Sequence, residues 1–229
     1  MLLNGFFITS PYNPDLPPEE WTLVYEKRTP GNFSYAADWG KYKIEVSGGG
    51  GAGSVVSTVG SYVEAESNNG TNGEKTNIDR ILYRNVTEVF SGIIGAGGAA
   101  SKTDGVSPYF HPGTPGAGYQ NGTSGDGTAY GNNTNGAKVC GGSGGGASCL
   151  YINNNLVFTC KGGNGGKCEA WGSGIRLYGP SGTGGGGGIS GTGSSGGLSV
   201  STRSTSANGN PGVDGYILIY KSNLKPELV

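Results

Sequence analysis

Glycine runs at residues 48–51, 144–146 and 184–188 leave this chain few ways to fold. A glycine run has no side chain to bury and loses the most backbone freedom on ordering, so it makes a poor core strand. One ordered form remains open to it. That form is an extended helix of about three residues per turn, rising about 3.1 Å per residue and holding no internal hydrogen bonds. Without Cβ atoms such helices can pack backbone to backbone. Each N–H and C=O then bonds sideways to a neighbouring helix, because a buried peptide group needs a partner. The alternative is that the runs are flexible linkers.

Disorder is the competing outcome, since the 49 glycines and 11 prolines reach about a quarter of the 229 residues. Charged residues are only 14%, however, whereas disordered chains are usually rich in Lys and Glu. The runs also alternate with β-type segments, so an ordered fold is expected. A net charge of −1 with 15 basic residues offers no basic stripe, and no nucleic-acid partner is expected. No stretch approaches the ~20 apolar residues of a membrane-spanning helix, so no membrane insertion is expected. The opening "MLLNGFFITSPY" lacks a basic flank and a long apolar centre and is not read as a signal peptide.

Residues 1–20, with Pro11, Pro14, Pro17 and Pro18, read as an extended N-terminal arm. Residues 21–221 read as one glycine-rich domain and 222–229 as a C-terminal tail. "WTLVYEK" at Trp21–Lys27 and "KYKIEV" at Lys41–Val46 alternate as strands do, with Tyr42, Ile44 and Val46 on one face. Further strands are expected at Tyr62–Glu66, Ile81–Arg84, Val86–Phe90, Leu150–Ile152, Leu156–Thr159 and Tyr216–Tyr220. No window carries a helical apolar period. The chain is expected to be all-β or irregular, as strands joined by glycine runs.

"CLYINNNLVFTC" reads as a hairpin turning at Asn154-Asn155, a pair that tolerates positive φ. That turn pairs Cys149 with Cys160. The flanking runs, 141–147 and 161–167, then leave side by side and bring Cys140 near Cys168. Nested disulfides, 149–160 and 140–168, are the favoured arrangement, with four free buried thiols as the alternative. The hairpin tip falls at one end of the domain, and the loops 101–138 and 169–182 at the other. If every run crosses the domain once, strands 41–46 and 216–220 also meet at the loop end.

Those two loops hold the candidate binding residues. The first carries Tyr109, Phe110, His111, Tyr119 and Tyr130 amid Asn, Asp, Ser and Thr; the second carries Trp171, Arg176 and Tyr178. Rigid aromatics among adaptable polar residues are the usual composition of recognition loops, although each aromatic could equally pack as local loop core. Catalytic chemistry is not expected. His111 is the one histidine, and Asp104, Asp126 and Glu169 are the acids of these loops. The cysteines, separated by eight, ten and seven residues, do not match the short-spaced pairs of zinc sites. No metal or cofactor is expected.

"TPGNFSYAADWGKYKIEVSGGGGAGS" at Thr29–Ser54 resembles the entry motif of a glycine-rich domain of phage tail proteins and bacterial surface proteins. "VFSGIIGAGGAAS", "GGGASCLYINNNLVFTCKGGNGG" and "NPGVDGYILIYK" look like its middle and closing motifs, so the resemblance covers about residues 20–221. The resemblance implies a sandwich of polyglycine II helices, with short β-hairpins at one end and long loops at the other. In the tail-tip adhesins of T-even-like phages such loops bind host receptors. The implied function is a non-enzymatic receptor-binding adhesin of a phage tail fibre or tail tip, located on the virion tail or an extracellular surface. Its partners would be a bacterial surface glycan or outer protein and other tail-fibre subunits. The runner-up is a structural virion or surface spacer with no ligand of its own.

Overall fold

The computed structural model describes residues 17–60, 64–104, 109–131, 135–172, 175–185, 197, 200–202 and 206–226. Their regular structure is all β, with no helix among the described residues. The chain begins with β1 (Trp21–Lys27), β2 (Gly31–Ala37), β3 (Gly40–Ser47), β4 (Val55–Val59), β5 (Glu64–Ser67) and β6 (Lys75–Leu82). It continues through β7 (Glu88–Ile94), β8 (Lys102–Thr103), β9 (Phe110–His111), β10 (Gly127–Gly131), β11 (Gly136–Cys140) and β12 (Ser148–Ile152). The last strands are β13 (Asn155–Cys160), β14 (Cys168–Gly172), β15 (Ile175–Gly179), β16 (Val200–Thr202), β17 (Ala207–Asn208) and β18 (Tyr216–Ser222).

Two antiparallel sheets, ordered β1-β18-β3-β6 and β13-β12-β7-β2, enclose the main core. Alternation along β3 sends Tyr42, Ile44 and Val46 to one face, and all three are fully buried. They join Ile217 and Ile219 of β18 against Phe90, Leu150 and Phe158 of the other sheet. Tyr42 and Phe90 meet edge to face at 5.6 Å, a favourable arrangement of ring quadrupoles. A smaller core of Val56, Ala137, Val139, Cys168, Ala170 and Leu177 lies beneath β4, β11, β14 and β15.

The glycine runs connect these two β regions. Segments 48–54, 95–101 and 161–167 carry the chain from β3, β7 and β13 to β4, β8 and β14. Segments 68–74, 141–147 and 209–215 return it from β5, β11 and β17 to β6, β12 and β18. Their amides bond with a period of three. Gly48, Gly51 and Ser54 donate to Glu74, Thr71 and Asn68; Gly49 and Ala52 to Gly146 and Ser143; Gly50 and Gly53 to Val213 and Asn210. Run 141–147 repeats the pattern. Gly141, Gly144 and Ala147 donate to Asp126, Thr123 and Gln120, Gly142 and Gly145 to Gly166 and Gly163, and Gly146 to Ala96. The run is wholly buried, so these bonds replace water around its peptide groups.

Several expectations are corrected in detail. The strand expected at Ile81–Arg84 stops at Leu82, before a turn in which Asn85 takes φ 66°. The hairpin turns at Asn153 and Asn154, with φ of 50° and 66°, one residue earlier than expected. A register shift between Leu150 and Tyr151 follows, setting Cys149 opposite Thr159 and Cys160 opposite Ser148. Strands β3 and β18 belong with the hairpin, not with the loops, because the run leaving β3 crosses to the far end. Residues 1–16 and the run beyond Gly185 lie outside the described residues. The two ends of the described chain meet beside the main sandwich: Asn223 N–H donates to Glu20 O at 3.0 Å, and Glu20 N–H to Asn223 Oδ1 at 2.9 Å.

Candidate functional site

At the far end, β15, β14 and β5 form a three-stranded antiparallel sheet. Its sequence alternates cleanly. Ala65, Cys168, Ala170 and Leu177 turn inward to the smaller core. Side chains two apart along a strand share a face, and directly paired residues share it across strands. The outer face therefore collects Glu64 and Glu66 from β5, Glu169 and Trp171 from β14, and Arg176 and Tyr178 from β15.

Arg176 organises this face. Its Nε donates to Glu169 Oε2 at 2.7 Å and its Nη2 lies 2.6 Å from the same oxygen. Its guanidinium lies 5.7 Å from the Trp171 ring centre and 5.2 Å from that of Tyr178, within cation–π range of both. Glu169 raises the Arg176 pKa through this hydrogen bond. Trp171 Nε1 donates to Glu64. Beside this ladder a groove of about 390 Å³ is lined by Glu66, Asn68, Lys167, Glu169, Tyr178 and Pro180, among others.

Trp171, Arg176 and Tyr178 are thus brought together, on the paired strands β14 and β15 and not in the loop expected at 169–182. The other candidates stand elsewhere. The Tyr109 ring receives the Lys138 ammonium at 5.2 Å, and His111 Nε2 lies 2.8 Å from Asp104 Oδ2. Phe110 packs on backbone, for a Cβ on Gly127 would come within 2.6 Å of its ring. Tyr130 is exposed on β10. Tyr119 belongs to the opposite end. Its N–H donates to Ala147 O at 2.8 Å and its side chain lies close to Tyr151 of the hairpin. Segment 113–126 runs into the glycine layer and doubles back, with Tyr119 at the reversal.

The glutamates of β5 and the groove residues Asn68, Lys167 and Pro180 were missed by sequence reasoning. The one available signal was Glu64 and Glu66 two apart in a strand-like segment, which marks a polar outer face. Lys138 is buried, and desolvation lowers its pKa. Among the described residues no group of three or more His, Cys, Asp or Glu is placed to hold a metal.

The four cysteines are free, buried thiols. Burial pushes Cys140 up to about 11 and Cys160 and Cys168 up to about 12. Cys160 Sγ donates to Val46 O at 3.3 Å and Cys168 Sγ to Val55 O at 3.6 Å. The expected 149–160 bridge rested on a turn at Asn154-Asn155; in the observed register these two cysteines lie one place out and face opposite sides of the hairpin. Cys168 Sγ and the Cys140 carbonyl carbon both border Gly179, so the 140–168 pair are neighbours.

No protein-family model matches the chain, and a search of curated proteins finds no match either.

Proposed function

We propose that this chain is a non-enzymatic receptor-binding module of a phage tail fibre or tail tip. In this reading the glycine runs are polyglycine II helices packed as a sandwich, forming a rigid layer between an attachment end and a binding end. The period-three hydrogen bonding of 48–54 and 141–147 supports the helix assignment, because a three-fold helix aims successive amides at different neighbours. The partner is a bacterial surface glycan or outer protein.

The observation that carries the binding reading is the outer face of β5, β14 and β15. It gathers two aromatics, an arginine within cation–π range of both and three carboxylates on one sheet surface. A structural sheet face has no need of that concentration of recognition chemistry. The test is adsorption of labelled protein to a panel of bacterial strains, comparing the natural chain with a Trp171→Ala, Tyr178→Ala double variant. The reading expects strain-selective adsorption that the double variant loses at unchanged thermal midpoint. Adsorption to no strain, or equal adsorption by the variant, would leave the spacer reading in its place.

A further inference from the structure

Glu66 and Glu169 face each other directly across β5 and β14, both on the outer face. Like charges so placed destabilise a sheet. Arg176 directs both of its close contacts to Glu169 Oε2 and reaches Glu66 only as a more distant charge. The Glu66 carboxylate is exposed and accepts no hydrogen bond from any described residue. It borders the groove of about 390 Å³, a volume within the ~300–1,000 Å³ range of small-ligand pockets. The groove is chemically mixed. It holds an acceptor in Glu66, donors in the Asn68 amide and Lys167 ammonium, and a flat apolar wall in Tyr178 and Pro180. Its lining carries Glu66, Glu169 and Lys167, and Arg176 beside it pairs with Glu169, so the charges at the groove cancel two against two.

We infer that this groove binds a neutral pyranose ring, and that the receptor is therefore a glycan; the inference rests on the receptor-binding reading of the same face. A sugar ring presents an apolar C–H face and a rim of hydroxyls that both donate and accept. Tyr178, which is 55% exposed, offers the stacking surface. Glu66 accepts from ring hydroxyls in charge-assisted bonds, while Asn68 and Lys167 donate to ring oxygens. The ligand so supplies the donors that Glu66 lacks. A cancelled charge disfavours phosphate and polycation alike, and leaves the neutral ring as the matching occupant.

The experiment is amide-resolved NMR titration of the full chain with methyl glycosides of glucose, galactose, mannose and N-acetylglucosamine, and separately with inorganic phosphate. At least one glycoside is expected to shift the amides of Lys167, Tyr178 and Gly179. Tyr178→Ala and Glu66→Gln should each weaken that binding about tenfold. Glu66→Gln keeps shape and removes charge, so it carries the test if the larger truncation disturbs folding. Shifts from phosphate alone, shifts at other residues, or none from any glycoside would overturn the assignment. Cell adsorption separates the two readings. A chain that adsorbs to cells but binds no glycoside here loses the glycan assignment and keeps the receptor-binding role. One that binds a glycoside here but adsorbs to no strain keeps the groove's sugar specificity and loses that role.

Discussion

Gly145 packs so closely on Gly49 that a Cβ added to Gly145 would stand 2.2 Å from the Gly49 carbonyl oxygen. That oxygen belongs to backbone and cannot swing aside. Gly145 also donates to Gly163 O at 2.8 Å and accepts from Gly185 N–H at 2.9 Å. Gly145→Val should therefore part three neighbouring runs and leave buried peptide groups unpaired, at about 1–3 kcal/mol each. Circular dichroism and size-exclusion chromatography should find the variant unfolded or aggregated. A soluble variant with the natural melting temperature would mean that the runs are loosely packed linkers.

The apolar sandwich makes a separate contribution. Phe90 is fully buried and packs against both Tyr42 and Tyr35. Phe90→Ala should cost about 3–5 kcal/mol, the usual range for removing a large buried aromatic. Urea unfolding measures this through a lowered midpoint. A loss below about 1 kcal/mol, the scale of a surface change, would mean that the sandwich is not the main apolar core.

Thiol titration sets a limit at alkaline pH. Burial raises Cys140 from 9.0 to about 11, and Cys160 and Cys168 from 9.0 to about 12. Below about pH 9 the folded and unfolded chains hold the same thiol protons, and stability does not change with pH on their account. Above it the unfolded chain releases protons that the folded chain keeps, so stability falls as pH rises toward 12. Tyr42, pushed from 10.0 to about 12 mainly by burial, acts in the same direction. Urea midpoints should drop across this window, and native thiols should alkylate far more slowly than unfolded ones. Linked peptides from a non-reduced digest, joining Cys140 to Cys168, would replace this behaviour for that pair with a covalent staple.

Tyr119 and Tyr178 should behave differently. Tyr119 lies by the hairpin and Tyr178 on the outer sheet face. Tyr119→Ala should leave cell adsorption intact, whereas Tyr178→Ala should reduce it about tenfold or more, as loss of an aromatic anchor does. Equal loss from both substitutions would move the binding surface away from β5, β14 and β15.

Local alternation was readable where it persisted. Tyr42, Ile44 and Val46 announced a buried face, and the glycine of 144–146 announced a place without room for side chains. Pairing between distant segments was not. Glu64 and Trp171 meet across 107 residues, and neither segment carries a mark naming the other. The doubling back of 113–126 was hidden for a related reason. Glycine bonds through its backbone alone, so spacing cannot tell a run that crosses the layer from one that reverses within it. The hairpin register failed at the middle asparagine of Asn153-Asn154-Asn155, where all three residues suit a turn and only packing chooses between them.

The buried layer also bears on heat capacity. Unfolding apolar side chains raises it, while exposing peptide groups lowers it by about 0.26 cal/mol/K per Å². The 48–54 and 141–147 segments release mostly peptide surface, so the chain's heat-capacity change should fall below the usual ~12–15 cal/mol/K per residue. A small change flattens the curve of stability against temperature. The domain then keeps more of its strength on cooling than an apolar core of equal size, whose hydrophobic driving force fades in the cold.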